Sequence, residues 1–345
     1  MEKRIREQRR DGRRVMRFVW ACCVSVCFSV SLLLTGCSTI DEDLSDCGYD
    51  YEMNYELQLV TNIKTELQTQ LTTETEKQVG EALGNYLSNI FKEYAQDIYL
   101  SFFDVDKEGE ILDHREEMMN DNQKTYSIYL PMRQYRHLAL ANLTKNTWVS
   151  AQDGGNSETL RLEQVANDTV SSHETGLFTA RSDMDVLEGV DQTFNVTLYM
   201  ANSAAALVLD PRDVDVKSIQ VFSTGFATGF NVNDSTYTFA EKDPIVRTQQ
   251  INTGTDQLCF CSVNFPSHET AEGDKPLWQF KVYVTKSDGT ITETILNIYE
   301  PLKAGELKIV KAYLDADGAA HPTDATVGVS ITLDWNSGIN YETPL

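Results

Sequence analysis

The chain opens with two contrasting blocks. A basic head holds Lys3, Arg4, Arg6, Arg9, Arg10, Arg13, Arg14 and Arg17, and an apolar run from Val15 to Leu34 follows, with Ser25, Ser29 and Ser31 scattered in it. From Tyr49 the pattern changes to strict alternation. Tyr49, Tyr51, Met53, Tyr55, Leu57 and Leu59 fall on one face, and Asp50, Glu52, Asn54, Glu56 and Gln58 on the other, which predicts a half-buried strand over Tyr49–Val60. The period then lengthens. Val79, Leu83, Tyr86, Leu87, Ile90 and Tyr94 recur at helical spacing and predict one helix over 74–95, opened by a Thr73/Glu76 capping box.

Alternation returns after Asp97 and dominates the rest. Strands are expected at Ile98–Val105, Glu110–His114, Lys124–Leu130 and Tyr135–Leu143, followed by a polar excursion over 146–176 and renewed order from Gly176-Leu-Phe178. A boundary is expected near 185–191. Beyond it come strands at Thr193–Met200, Ala204–Leu209, Ser218–Ser223, Gln249–Ile251, Gln257–Asn264, Leu277–Thr285, Thr290–Tyr299, Leu307–Leu314 and Val327–Trp335. Turn chemistry sits at Ser287-Asp288-Gly289, Lys303-Ala304-Gly305 and Asp315–Gly318. Many short alternating strands with one helix make a mainly β chain built of β-sandwiches.

The end of the apolar run fixes the processing. Leu34-Thr35-Gly36-Cys37 matches a bacterial lipobox, and a basic head, apolar middle and small-residue cleavage site make a secretory signal rather than a spanning helix. The expectation is a signal peptide over 1–36, cleavage at Gly36–Cys37 and acylation of Cys37. A single chain anchors only marginally, at about 0.8 kcal/mol per buried methylene, whereas several chains on one residue make release negligible. Residues 37–48 then read as a tether. Asp41, Glu42 and Asp43, just behind the cysteine, are either a solvated spacer or an address; the stretch Ser38–Asp43 resembles the surface-export signal of Bacteroidetes lipoproteins.

Removing 1–36 takes the chain from 29 basic and 52 acidic residues to 21 and 49, a net charge of −28. Such a chain repels nucleic acid, which requires clustered Lys and Arg, and meets a membrane only through its lipid. Besides Cys37 the mature chain keeps Cys47, Cys259 and Cys261. Cys259 and Cys261 are two apart in a strand, so they share a face and do not bridge each other. Either could pair with Cys47 in an oxidising compartment, or remain a buried free thiol. Cys-Xaa-Cys alone supplies too few ligands for zinc.

Catalytic and metal signatures are weak. Asp104-Val-Asp106-Lys-Glu108-Gly109 imitates the front of a calcium loop, but Arg115 stands where the closing glutamate belongs, so a hairpin turn is favoured. His114, His137, His173, His268 and His321 are scattered, and no zincin, nucleophile-elbow or phosphate-loop motif occurs. No enzyme, cofactor or metal site is expected. Trp148, Trp278, Tyr135 and Tyr199 could stack on sugars, although alternating strand positions favour core roles.

The ordered set of pieces resembles the FimB-type fimbrial anchor lipoproteins of the Bacteroidales. The pieces are Cys37, Asp43-Leu44-Ser-Asp-Cys47, the aromatic first strand, the helix and Tyr99–Asp104 with its Glu-Gly turn. Then come Leu138–Leu143, Leu302-Lys-Ala-Gly305 with the Leu307–Leu314 strand, and Val327-Gly-Val-Ser-Ile-Thr-Leu-Asp334-Trp335. Cys259, Cys261 and the 146–176 excursion have no counterpart in that pattern. The resemblance implies two transthyretin-like β-sandwich domains, 49–188 with one covering helix and 189–345. It further implies an outer-membrane lipoprotein that holds a fimbrium, limits its length and meets shaft or accessory subunits through strand complementation. The C-terminal segment Val327–Leu345 is the expected mating region. The alternative class is a surface lipoprotein that binds glycans.

Overall fold

The computed structural model describes residues 48–58, 61–91, 97–105, 111–118, 125–152, 160–165, 167–187, 190, 192–271 and 273–334. Within them four sheets enclose three apolar cores. The first sheet runs, edge to edge, through β3 (Ile111–Met118), β2 (Asp97–Asp104), β5 (Gln134–Ala141), β9 (Phe178–Asp185), β10 (Thr193–Met200), β1 (Gly48–Gln58) and β4 (Thr125–Pro131). β3 and β4 lie on opposite edges, yet Met118 and Thr125 are consecutive strand ends only seven positions apart. Seven residues reach about 25 Å, whereas six flat inter-strand steps need about 29 Å, so the sheet must curl. The inside of the curl carries Ile98, Leu100, Phe102, Ile128, Leu130, Val196 and Leu198 into the first core.

The central sheet follows directly. Its order is β16 (Gln249–Ile251), β17 (Leu258–Asn264), β11 (Ser203–Asp210), β20 (Leu307–Leu314) and β21 (Ala320–Pro322). The unbroken apolar run of β11 reflects burial on both faces. Ala204, Ala206 and Val208 enter the first core, while Ala205, Leu207 and Leu209 enter the second. β17 splits likewise, with Cys259, Cys261 and Val263 on one side and Phe260 on the other. The second core is closed by the outer sheet, in the order β22 (Gly328–Asp334), β19 (Ile291–Ile298), β18 (Trp278–Lys286), β12 (Val216–Thr224), β15 (Ile245–Arg247) and β8 (Thr169–Ser171). A small sheet of β14 (Thr236–Thr238), β13 (Gly229–Asn231), β7 (Arg161–Gln164) and β6 (Val149–Gln152) is joined to the back of the first sheet by the third core, through Leu138, Leu140, Leu162 and Phe230.

The two halves interlock. β8, from the polar excursion, pairs in parallel with β15, while β13 of the second half pairs with β7 of the first. β10, expected to open the second half, is a strand of the first sheet and pairs with β1 and β9. Between β10 and β11, the buried Asn202 accepts from Leu177 N–H through Oδ1 and donates to Thr175 O through Nδ2.

Two helices, not one, cover the central sheet. α1 (Thr61–Gln70) and α2 (Glu74–Ile90) pack on each other and reach β20, and β16 with β17, respectively. α2 starts at the expected capping box: Thr73 Oγ1 accepts from Glu76 N–H at 3.3 Å, and Glu76 Oε2 accepts from Thr73 N–H at 2.9 Å. It ends at Ile90, and 92–95 of the expected helix lie outside the described residues. α1 escapes periodicity analysis because TNIKTELQTQ offers only Ile63 and Leu67 as apolar positions. Its support is tertiary. A Cβ on Gly80 would come within 3.3 Å of Leu71, and one on Gly84 within 3.4 Å of Leu67, so two glycines of α2 leave the room in which this segment seats. Each costs about 1 kcal/mol of helix propensity, which the contact offsets.

One lysine ties the helices to the sheet. Lys311 Nζ of β20 donates to Gln70 O at the end of α1 and to Glu76 Oε1 at the start of α2, both at 3.0 Å. Burial alone would raise the Glu76 carboxyl. The Thr73 bonds and the Lys311 ammonium outweigh it and hold the group at about 2. Glu76→Ala is expected to lose about 2 kcal/mol in urea unfolding, because cap and ion pair go together. Lys311→Ala added to it should then cost less than it does alone.

Two fully buried histidines give the fold an acid-sensitive side. Burial pulls His173 down to about 3 and His137 to about 4, the latter despite its bond to Ser101 O. Both folded values lie below the unfolded value near 6.5, so their contribution is intact above that pH and is lost as pH falls toward the folded values. Stability should drop by up to about 1.4 kcal/mol per pH unit per histidine below pH 6.5. Urea midpoints at pH 7.5 and 5.0 measure this, and His173→Gln should flatten the profile.

Candidate assembly surface

Among the described residues the outer sheet ends at β22, which is hydrogen-bonded on one side only, to β19. In an antiparallel pair, directly opposed residues project to the same face. Val329 faces Leu296 and Ile331 faces Thr294, and both partners are fully buried against the central sheet. Val329 and Ile331 therefore point inward, yet they remain 37 % and 43 % exposed. The cause lies across the sandwich. The central sheet stops at β21, only three residues long, so nothing among the described residues lies beneath β22. Tyr299, also exposed, rests against the backbone at Gly328, where an added Cβ would meet its ring at 3.3 Å. The result is an open backbone edge beside uncovered inward apolar positions, which is what a docking extended strand requires.

The first sheet is different. β1 lies in its interior, parallel to β10 from Glu52↔Thr193 to Gln58↔Tyr199 and antiparallel to β4 from Gly48↔Pro131 to Asn54↔Thr125. The segment that follows the expected tether thus fills an inner place in this sheet itself.

Of the residues singled out from the sequence, Cys37, Asp41, Glu42, Asp43 and Cys47 lie outside the described residues, as do 335–345 of the expected mating segment. Cys259 and Cys261 share one face and are buried free thiols. Burial pushes Cys259 up to about 12, and burial together with its neighbour pushes Cys261 well up, so neither is a nucleophile near neutral pH. At the calcium-like loop, Asp104 is ion-paired with Arg133 at 2.8 Å, and 106–110 lie outside the described residues. His137 stacks on Phe102, His268 stacks on Phe239, and His321 bonds Asp315 at 2.7 Å. Among the described residues no group of three or more His, Cys, Asp or Glu could hold a metal ion. Trp278 and Tyr135 are core residues, Trp148 is partly buried against the second core, and Tyr199 is 58 % exposed. Sequence reading missed the importance of Val329 and Ile331 individually. Alternation identifies their face but not the lack of a layer over it.

A model of the Mfa2 family, fimbrillin-A associated anchor proteins Mfa1 and Mfa2, matches residues 65–340. A candidate adhesin from Bacteroides thetaiotaomicron is similar in fold, at 10 % identity and a TM-score of 0.50, over 82 % of this chain and 97 % of that one. A candidate polysaccharide-binding protein from the same organism also reaches 0.50 at 10 % identity, over 86 % and 99 %. The fimbrial anchor protein Mfa2 from Porphyromonas gingivalis aligns at 11 % identity with a TM-score of 0.46, over 83 % and 99 %. No curated protein sequence matches. The family model spans most of the chain: the chain belongs to the Mfa2 family of fimbrillin-A-associated anchor proteins.

Proposed function

We propose that this chain is a surface-exposed outer-membrane lipoprotein, without enzymatic activity, that ends a fimbrium and holds it to the cell. Cys37 carries the lipid, and Asp41, Glu42 and Asp43 direct the acylated chain to the outer face. Shaft or accessory subunits mate with the C-terminal region by strand complementation.

The observation that carries this reading is the β22 edge, with Val329 and Ile331 inward-facing and uncovered. An extended strand added there gains main-chain hydrogen bonds and covers both side chains at once. The filled first sheet supplies the second half of the logic. With β1 already between β10 and β4, no interior strand position is vacant there among the described residues; on this reading growth uses the β22 edge alone and stops at this subunit. A head-to-tail polymer is terminated by any subunit that mates at one surface only. This is how an anchor limits length.

Two variants in the native organism separate the roles. With Cys37→Ala, intact fimbriae are expected in the medium rather than on cells. With Ile331→Asp, the lipoprotein should stay in the outer membrane while fimbriae retained per cell fall at least about tenfold, since a strand seated over a buried carboxylate loses several kcal/mol. Both are read by quantitative blotting of sheared and cell-bound fractions. Unchanged fimbrial retention in Ile331→Asp would count against mating at β22. Replacing Asp41, Glu42 and Asp43 by their amides should protect the chain from protease added to whole cells.

A further inference from the structure

Several chain turns meet at one end of the first sheet. β1 begins there, with Gly48 opposite Pro131 and Glu52 N–H donating to Gln192 O at 3.3 Å. Val105 N–H donates to Gln134 O at 3.1 Å, Val186 N–H donates to Arg133 O at 3.0 Å, and Gln134 faces Asp185. The ends of β2, β4 and β9 and the starts of β1, β5 and β10 therefore share this end. Three apolar side chains stand out from it: Val105, Leu187 and Val190, which are 47 %, 52 % and 52 % exposed.

We propose that this end rests on the lipid surface, with Val105, Leu187 and Val190 entering the headgroup region. The inference depends on acylation of Cys37, as proposed above. Ten residues lie between Cys37 and Gly48, eleven Cα steps, so fully extended chain holds this end within about 40 Å of the anchoring lipid. No other surface of the described protein is so confined. Tethering converts membrane contact into an intramolecular event, so apolar tips too weak to bind a bilayer alone become effective. The nearby charges select the lipid. Arg133 is ion-paired with Asp104, Arg136 lies 3.7 Å from Asp183, and Asp185 adds a further negative charge. With both arginines ion-paired and a mature net charge of −28, the chain gains nothing from an anionic surface, so a zwitterionic one fits better.

The test uses the full acylated chain, isolated from outer membranes with Cys47→Ser so that only an introduced thiol reacts; Cys259 and Cys261 are buried. Nitroxide is placed at Leu187→Cys, Val190→Cys or, as control, Asp288→Cys in the β18–β19 turn, and the protein is set in phosphatidylethanolamine/phosphatidylcholine vesicles. Power saturation compares access of oxygen with that of a water-soluble nickel chelate. The expected result is an oxygen-to-nickel ratio several-fold higher at 187 and 190 than at 288, falling when phosphatidylglycerol replaces part of the lipid. Ratios at 187 and 190 equal to that at 288, with Cys37 acylated by mass spectrometry, overturn this inference and leave the anchor reading intact. A bare Cys37 overturns both.

Discussion

Everything in this molecule leans on a sheet with two buried faces. β11 and β17 send alternate side chains into two different cores, so the helices and the curled first sheet are packed against the same strands that close the outer sandwich. A strand in that position cannot shift register by one residue without exchanging its two sets of side chains between the cores. That is why small residues dominate one set of β11, Ala204 and Ala206, while Leu207 and Leu209 occupy the other. The Lys311 clasp to Gln70 and Glu76 fixes the helices on this sheet by polar bonds that a sliding helix would break.

Around that rigid middle the two ends have opposite characters. At one end β1 enters the first sheet within eleven residues of the cysteine expected to bear lipid, and its place in the sheet interior secures the anchor mechanically. Pulling it free would require breaking two strand pairings, one parallel and one antiparallel. On the outer sheet, β22 pairs on one side only among the described residues, and its inward Val329 and Ile331 remain exposed. Natural proteins usually blunt such edges with charge, proline or bulges. Gly328, Val329 and Ile331 do the reverse, which is the feature the proposed assembly role rests on. On that proposal the first sheet admits no inserted strand, while the outer sheet accepts an added one.

How much of this could be read from the residues alone depends on what each pattern encodes. The Thr73–Glu76 box and the Val79–Ile90 stripe are local signals and located α2, and the alternation of Thr290–Tyr299 located β19. The shared face of Cys259 and Cys261 follows from period two and needs no tertiary information. α1 was hidden because its stability comes from Gly80 and Gly84 on the neighbouring helix rather than from its own stripe. β6, β7 and β8 were hidden in the polar excursion because each buries a single apolar residue, Val149, Leu162 and Val170. The proposed mating edge lies within the segment expected from sequence, Val327–Leu345, but its open face was not legible there. Whether Val329 and Ile331 are covered is decided by where β21 stops, just before them in sequence but on the opposite sheet.

The most direct measurement is amide hydrogen exchange on the acylated chain, free and within purified fimbriae. The account predicts that β1 is protected in both states, because it is already an interior strand, and that outward amides of Gly328–Asp334 exchange fast in the free chain and slow by orders of magnitude on assembly. Equal exchange of β22 in the two states, or protection newly gained by β1 on assembly, would contradict it.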